Sequence, residues 1–369
     1  MSLVADRMRL IDASGIRKVF DLAAKMKNPI NLSIGQPDYD VPQAVKDAAI
    51  AAIGGGRNQY TQTQGIPELR QKLAAIVTEQ FGVADPAVLV TSGVSGGLLL
   101  ALMATVNPGD EVLIADPYFV MYKHLTNLVG GRPVFVDTYP DFRLTAARLA
   151  PHITPRTRVL LLNSPANPTG TVLSADEIDE LLALAARHDL LVLTDEIYDG
   201  FCYDGPYCSA FGRYEKTVLL KGFSKTWGMT GWRLGWAAGP GEVIQAMTML
   251  QQYSFVCAPS MVQWAGLAAL DTDMTAAQDD FRGRRDMIYD ALRGDFEVQK
   301  PGGAFYIFPK APGGRAEEFV AEAIRRSVLI IPGNVFSERA THFRISYAAS
   351  REALSRGAEI LCQIAREMK

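Results

Sequence analysis

From about residue 87 to residue 240, short runs rich in β-branched residues alternate with longer helical patterns. A parallel strand can rejoin its sheet only through a crossover, usually a helix, so this alternation restricts the chain to a largely parallel sheet covered by helices. The predicted strands are Val88 to Thr91, Glu111 to Ala115, Pro133 to Val136, Arg158 to Leu162, Leu190 to Thr194, Thr217 to Leu220 and Leu234 to Ala238, which together make one seven-stranded sheet. Ser174-Ala-Asp-Glu177 reads as a capping box opening the amphipathic stretch Ile178 to Arg187, and Asn107-Pro-Gly-Asp110 closes the apolar helix before it.

After about residue 272 the texture changes. A charged helical pattern from Thr275 to Leu292 is followed by predicted strands at Phe296 to Gln299 and Ala304 to Phe308, a helix from Arg315 to Arg326, a strand at His342 to Ser346 and a helix from Ser350 to Met368. This predicts a smaller α+β domain over 273–369 beside a large α/β domain over 43–272. Residues 1–42, with Pro29, Gly35, Pro37 and Pro42 close together, lack the alternation. They are expected to pack on the small domain, which is then built from both chain ends, or on another subunit.

Charge narrows the partners. Thirty-seven basic residues against 40 acidic ones leave a net charge of −3, with no Lys/Arg block beyond short clusters such as Arg282, Arg284 and Arg285, so neither nucleic acid nor an anionic membrane is an expected partner. No apolar run approaches the roughly 20 residues of a membrane span, and the N-terminus reaches charge too early for a signal-peptide core. A cytoplasmic location is the expectation. Cys202, Cys208, Cys257 and Cys362 form no C-x-x-C pair, and His124, His152, His188 and His342 lie far apart. Spacing offers no metal site and no redox motif.

The chemistry concentrates in Lys221-Gly-Phe-Ser-Lys225-Thr-Trp-Gly-Met-Thr-Gly-Trp-Arg233-Leu-Gly-Trp236. A lysine in a dry, Gly-lined loop beyond a strand can have a lowered pKa and act as nucleophile or base, and Arg233 with Ser224 could hold a phosphate. Taken alone, Lys225 reads better as a solvated surface lysine. Other segments change that reading. Thr91-Ser-Gly-Val-Ser-Gly-Gly97 joins a strand to a helix, so the first N–H groups of that helix and the Ser95 hydroxyl form an anion cradle. Asn163-Ser-Pro-Ala-Asn167-Pro-Thr-Gly170 and Asp195-Glu-Ile-Tyr198 each follow a predicted parallel strand, at the strand ends where open α/β sheets bind ligands.

These motifs resemble the class I/II aminotransferases, fold-type I enzymes that use pyridoxal 5′-phosphate. The resemblance runs from Asn31-Leu-Ser-Ile-Gly-Gln-Pro-Asp38 through Tyr60-Thr-Gln-Thr-Gln-Gly-Ile-Pro-Glu68 to Phe343-Arg-Ile-Ser346, and the Ser-Lys-Thr-x-Gly-Met-x-Gly-x-Arg pattern is its most specific part. It implies that the large domain binds the cofactor and that Lys225 forms the Schiff base and carries the proton. Asp195 would pair with the pyridinium nitrogen, keeping it protonated so that the ring accepts electrons released at the substrate Cα. Asn167 and Tyr198 would hydrogen-bond the ring 3′-oxygen, and Phe119 would stack on the ring. Val94, Ser95, Ser224 and Arg233 would hold the phosphate, with Tyr60 reaching in from a second subunit of a homodimer that shares its sites. Arg344 would clamp the substrate α-carboxylate beside the Gly35 backbone and Asn167.

The implied reaction moves an amino group from an L-amino acid to a 2-oxo acid in two half-reactions, giving ping-pong kinetics. Dicarboxylate-specific members carry a second cation. One group has a lysine where this chain has Ser95, and another has an arginine where this chain has Gln251 and Gln252. A neutral or apolar donor is therefore expected, such as alanine, methionine, a branched-chain or an aromatic amino acid, unless Arg17, Lys18 or Arg132 substitutes. A C–S β-lyase on the same scaffold is the alternative, and a non-catalytic regulator with this fold a remote one, opposed by the filled catalytic positions.

Overall fold

The β-branched runs form strands because each is apolar on both faces and both faces find a helical layer. The structure is a computed structural model that describes residues 3–13, 15, 19, 24 and 26–368. Its strands, in chain order, are β1 (Ile30–Asn31), β2 (Ala87–Thr91), β3 (Glu111–Asp116), β4 (Arg132–Asp137), β5 (Thr157–Asn163), β6 (Leu191–Asp195), β7 (Thr217–Gly222), β8 (Gly235–Gly239), β9 (Tyr306–Ile307), β10 (Val328–Leu329), β11 (Ile331–Pro332) and β12 (Phe343–Ser346). The large sheet has seven strands in the order β2-β8-β7-β6-β5-β3-β4. All its pairings are parallel except those of β8, which runs against both neighbours.

Alternate residues feed opposite layers, as a period of two requires. Leu89, Ile114, Val159, Leu161 and Leu193 join one buried cluster, whereas Leu113, Leu160, Leu162 and Val192 join another and Val88 and Val90 a third. A sheet covered on both faces reads as continuous apolar runs rather than alternation, which is why all seven strands were visible in the sequence.

The reversed strand β8 positions the site. Being antiparallel to both β2 and β7, it leaves those two pointing the same way, so the turn after β2 opens onto the same edge as the carboxyl ends of β5, β6 and β7. Gly235 sits at that edge, opposite Thr91 on one side and Gly222 on the other. The helix Gly93–Thr105 starts there.

The helix Ala175–Arg187 begins with the predicted capping box: the Ser174 hydroxyl accepts from Glu177 N, and the Glu177 carboxylate accepts from Ser174 N. In the C-terminal part, β9, β12 and β11 form an antiparallel sheet, and β1 pairs in parallel with β10, tying the N-terminal segment to this part of the molecule. The helices Thr275–Leu292 and Arg351–Met368 flank it. Two expectations are corrected. Phe296 to Gln299 is not a strand: Phe296 is buried against Phe319 and Phe343, but its N–H turns back to the Leu292 carbonyl of the preceding helix, and a single bond, from Lys310 N to the Glu297 carbonyl, reaches a neighbouring segment. The strand expected over Ala304 to Phe308 shrinks to Tyr306–Ile307, because Ala304 takes a left-handed φ of 56° and turns its N–H to the Phe201 carbonyl.

Candidate active site

A cavity of about 270 Å³ lies at the carboxyl edge of the large sheet. Gly35, Val94, Ser95, Phe119, Asn167, Asp195, Tyr198, Ser224, Lys225, Arg233 and Arg344 all line it, so the structure brings together every expected site residue except Tyr60. Tyr60 is 84% exposed in the single chain.

Lys225 stands in the turn after β7. Its ammonium donates to the Gly35 carbonyl at 2.6 Å. Burial, with Arg344 and Arg233 nearby, lowers its pKa to about 8, against the weaker opposing pull of Asp195. An amine poised near neutrality can serve as both nucleophile and proton carrier.

One end of the cavity is built for an anion. Gly93 has φ +69°, and a Cβ there would lie 2.4 Å from Arg233 Nη2. A Cβ on Gly235 would lie 2.6 Å from the Gly93 carbonyl carbon. Glycine at both positions lets the helix start, the β8 edge and the Arg233 guanidinium close on one point. No side chain caps the first turn of the Gly93–Thr105 helix, so its free N–H groups and positive dipole end face the cavity with Ser95, Ser224 and Arg233.

The other end is acidic. Asp195 closes β6 and is 2% exposed; burial raises its pKa to about 6, while the Tyr122 hydroxyl at 2.8 Å, Ile197 N at 3.2 Å and the charge of Lys225 oppose the rise. Asn163, its register partner on β5, donates to the Asp195 carbonyl at 3.0 Å and accepts from Asn167 N at 3.0 Å. Tyr198 and Tyr306 share a hydrogen bond between hydroxyls at 2.9 Å, and burial holds the Tyr198 phenol well above its ordinary pKa.

Arg344, on β12, is 1% exposed and stands between the rings of Tyr306 and Phe336, 4.4 and 4.5 Å from their centroids. Nη1 donates to Asn167 Oδ1 at 2.9 Å and Nη2 to the Ser33 carbonyl at 2.8 Å, while Nε has no partner. Among the described residues no carboxylate pairs with this buried guanidinium. A buried charge without a counter-ion is costly, and a ligand carboxylate would supply one.

Sequence reasoning missed Tyr122, Asn163 and Tyr306. Tyr122 lies three residues beyond Phe119, and Asn163 opens the motif that holds Asn167, but no spacing rule links either to Asp195. Arg132 is exposed on the edge strand β4, away from the cavity. Arg17 and Lys18 lie outside the described residues.

These features fit pyridoxal 5′-phosphate. The uncapped helix start with Arg233 suits its phosphate, the aromatic wall at Phe119 its flat ring, the buried carboxylate its ring nitrogen and the lysine its aldehyde. Residues 27–361 match the family model for aminotransferase class I and II. The chain is 37% identical to an aspartate aminotransferase of Pyrococcus abyssi and 37% identical to aromatic-amino-acid aminotransferase 2 of Thermococcus litoralis, covering 99% of each chain in both comparisons. The solved structure of the Thermus thermophilus aspartate aminotransferase with maleate superimposes with a TM-score of 0.94 at 33% identity, over 99% of this chain and 100% of that one. Among the described residues no helix is long and apolar enough to cross a membrane. The chain belongs to the class I and II aminotransferases and is a pyridoxal 5′-phosphate-dependent transferase that acts on an amino acid and a 2-oxo acid.

Proposed function

We propose that this enzyme transaminates a neutral or aromatic L-amino acid, with Lys225 as the reacting lysine, Asp195 as the partner of the cofactor ring nitrogen and Arg344 as the receptor of the substrate α-carboxylate. The observation that carries the reading is the buried Arg344, which among the described residues has no carboxylate partner, facing the same cavity as Lys225 and Asp195. When bound, the cofactor supplies an electron sink and stores the amino group between the two half-reactions. Arg344 fixes one end of the substrate with a planar fork that suits a carboxylate, and Asn167, already bonded to Arg344, sets the angle of that fork. Lys225 would take the proton from the substrate Cα and deliver it to the carbon on the far side of the substrate nitrogen, a task that suits an amine with a pKa of about 8. Asp195 holds the ring-nitrogen proton, and Tyr122 keeps its carboxylate in place.

Substitution of Arg344 by lysine keeps the charge and loses the fork. Arg344→Lys is expected to raise KM for both amino donor and 2-oxo acid by about 10- to 100-fold, with a smaller fall in kcat, in steady-state assays. An unchanged KM would remove Arg344 from the carboxylate site.

The donor preference rests on a census of charge. Among the described residues, the cations lining the cavity are Lys225, Arg233 and Arg344, and each has a task in this reading. Gln251, at a position where some relatives carry an arginine, is fully buried, and its amide donates to the carbonyls of Thr63 and Val90. The relatives themselves are named for both aspartate and aromatic substrates. A screen of the twenty amino acids against 2-oxoglutarate and pyruvate is expected to give highest turnover with a neutral or aromatic donor. Faster turnover with aspartate than with any neutral donor would overturn the preference, and pyruvate release without an acceptor would mark a β-lyase.

A second copy of the chain completes the site in this reading. Tyr60, Tyr253, Phe255 and Val256 are exposed by 84, 91, 37 and 41% in the single chain, surface that is largely apolar. A homodimer would cover it and carry Tyr60 to the partner's phosphate cradle.

A further inference from the structure

We propose that Tyr39 is a positioning residue for Lys225, acting through a hydrogen bond to the lysine's main chain; this rests on the reading of Lys225 as the reacting lysine. The Tyr39 hydroxyl lies 2.9 Å from the Lys225 carbonyl and 2.8 Å from the Thr226 carbonyl and donates to the pair. Both carbonyls belong to the turn after β7, in which the Lys225 carbonyl also accepts from Gly228 N. Gly228 makes the approach possible: its φ is +66°, and a Cβ there would stand 3.2 Å from the Tyr39 carbonyl oxygen and 3.4 Å from its ring.

The segment that carries Tyr39 is anchored on both sides of the hydroxyl. Asp38 pairs with Arg284 at 2.8 Å, and the Tyr39 ring meets Phe281 edge-on at 6.1 Å, so the helix Thr275–Leu292 holds it from behind. Two residues of the same segment touch the reacting groups. The Gly35 carbonyl accepts from Lys225 Nζ at 2.6 Å, and the Ser33 carbonyl accepts from Arg344 Nη2 at 2.8 Å. Lys225 is thus held at its amine by Gly35 and at its backbone by Tyr39, from one short stretch of chain. The side chain between those points is flexible, so the Cα position sets where the amine arrives, and a displacement of about 1 Å at a reacting group can lower a rate about 100-fold.

The test is Tyr39→Phe, which keeps the ring and removes only the hydroxyl. Cofactor-free protein is mixed with pyridoxal 5′-phosphate over a range of concentrations, and borohydride at timed intervals fixes the captured cofactor to Lys225 for peptide mapping. The saturating rate constant of capture is expected to fall about tenfold, with the half-saturating concentration and Tm close to native, and kcat for the amino donor is expected to fall by a similar factor at unchanged KM. Asp38→Asn, which loosens the same segment but leaves the hydroxyl, is expected to keep capture within about twofold of native. A Tyr39→Phe protein that captures and turns over within about twofold of native overturns the proposal. So does a fall confined to Tm and half-saturation, which would mark a packing role, or an Asp38→Asn protein that matches the Tyr39→Phe loss. If borohydride labels a residue other than Lys225 in the native protein, the reading beneath the proposal fails, and peptide mapping shows this separately.

Discussion

Lys225→Ala is expected to lose at least about 10⁴-fold in transamination rate, because one side chain serves as both covalent anchor and proton carrier and, among the described residues, the cavity holds no second amine. Tyr198 is the other group near enough to take a proton, its ring centre 5.7 Å from Lys225 Nζ, but burial holds its phenol well above the ordinary tyrosine pKa. It cannot replace an amine that titrates near pH 8. Cofactor binding is expected to survive in this variant, since the Gly93 turn, Ser224 and Arg233 are untouched, so equilibrium dialysis separates loss of chemistry from loss of the site. A variant that binds the cofactor and keeps more than about one per cent of native turnover would assign the chemistry elsewhere.

How far the sequence reaches depends on what carries each signal. All seven strands of the large sheet are legible because they are buried on both faces, and the capping box at Ser174 is legible because its reciprocal bonds need a fixed spacing of three residues. The failure at Phe296 to Gln299 is of another kind. Burial of Phe296 gives an apolar-polar alternation without any partner strand, and periodicity reports burial rather than a ladder. In the cavity, the residues at strand ends were legible as motifs. Those that tune them were not: Tyr122 reaches Asp195 from 73 positions away, and Tyr306 reaches Tyr198 from 108. Such pairings arise only when strand order brings distant chain segments to one edge, and β8, by restoring the direction of β2, decides that order.

Asp195→Asn is expected to give opposite results for activity and for stability of the cofactor-free protein. Activity should fall by on the order of 10³-fold, because a neutral amide cannot hold a proton on the ring nitrogen of the cofactor. Stability should rise with pH relative to the native chain. The Asp195 carboxyl has a pKa of about 6 in the fold, against an ordinary 3.8, chiefly through burial. Below pH 4 both the folded and the unfolded chain carry the proton, and the group costs nothing. Between pH 4 and 6 the unfolded chain has released its proton while the fold retains it, so native stability falls as pH rises through this window, and above pH 6 the full penalty is in place. At about 1.4 kcal/mol per pH unit, that penalty reaches about 3 kcal/mol. The amide carries none of it; its oxygen can accept from Ile197 N, and its NH2, in place of the second carboxylate oxygen, can donate to the Tyr122 hydroxyl oxygen. Loss of the carboxylate's pull on Lys225 subtracts little, since it is the smallest of the influences on that amine. Thermal melts of the two cofactor-free proteins at pH 4, 6 and 8 should therefore show Asp195→Asn gaining on the native chain between pH 4 and 6 and levelling off by pH 8. A constant difference across that range would mean that the buried carboxyl is already compensated, and that the fold is not holding an unfavourable charge in readiness for the cofactor.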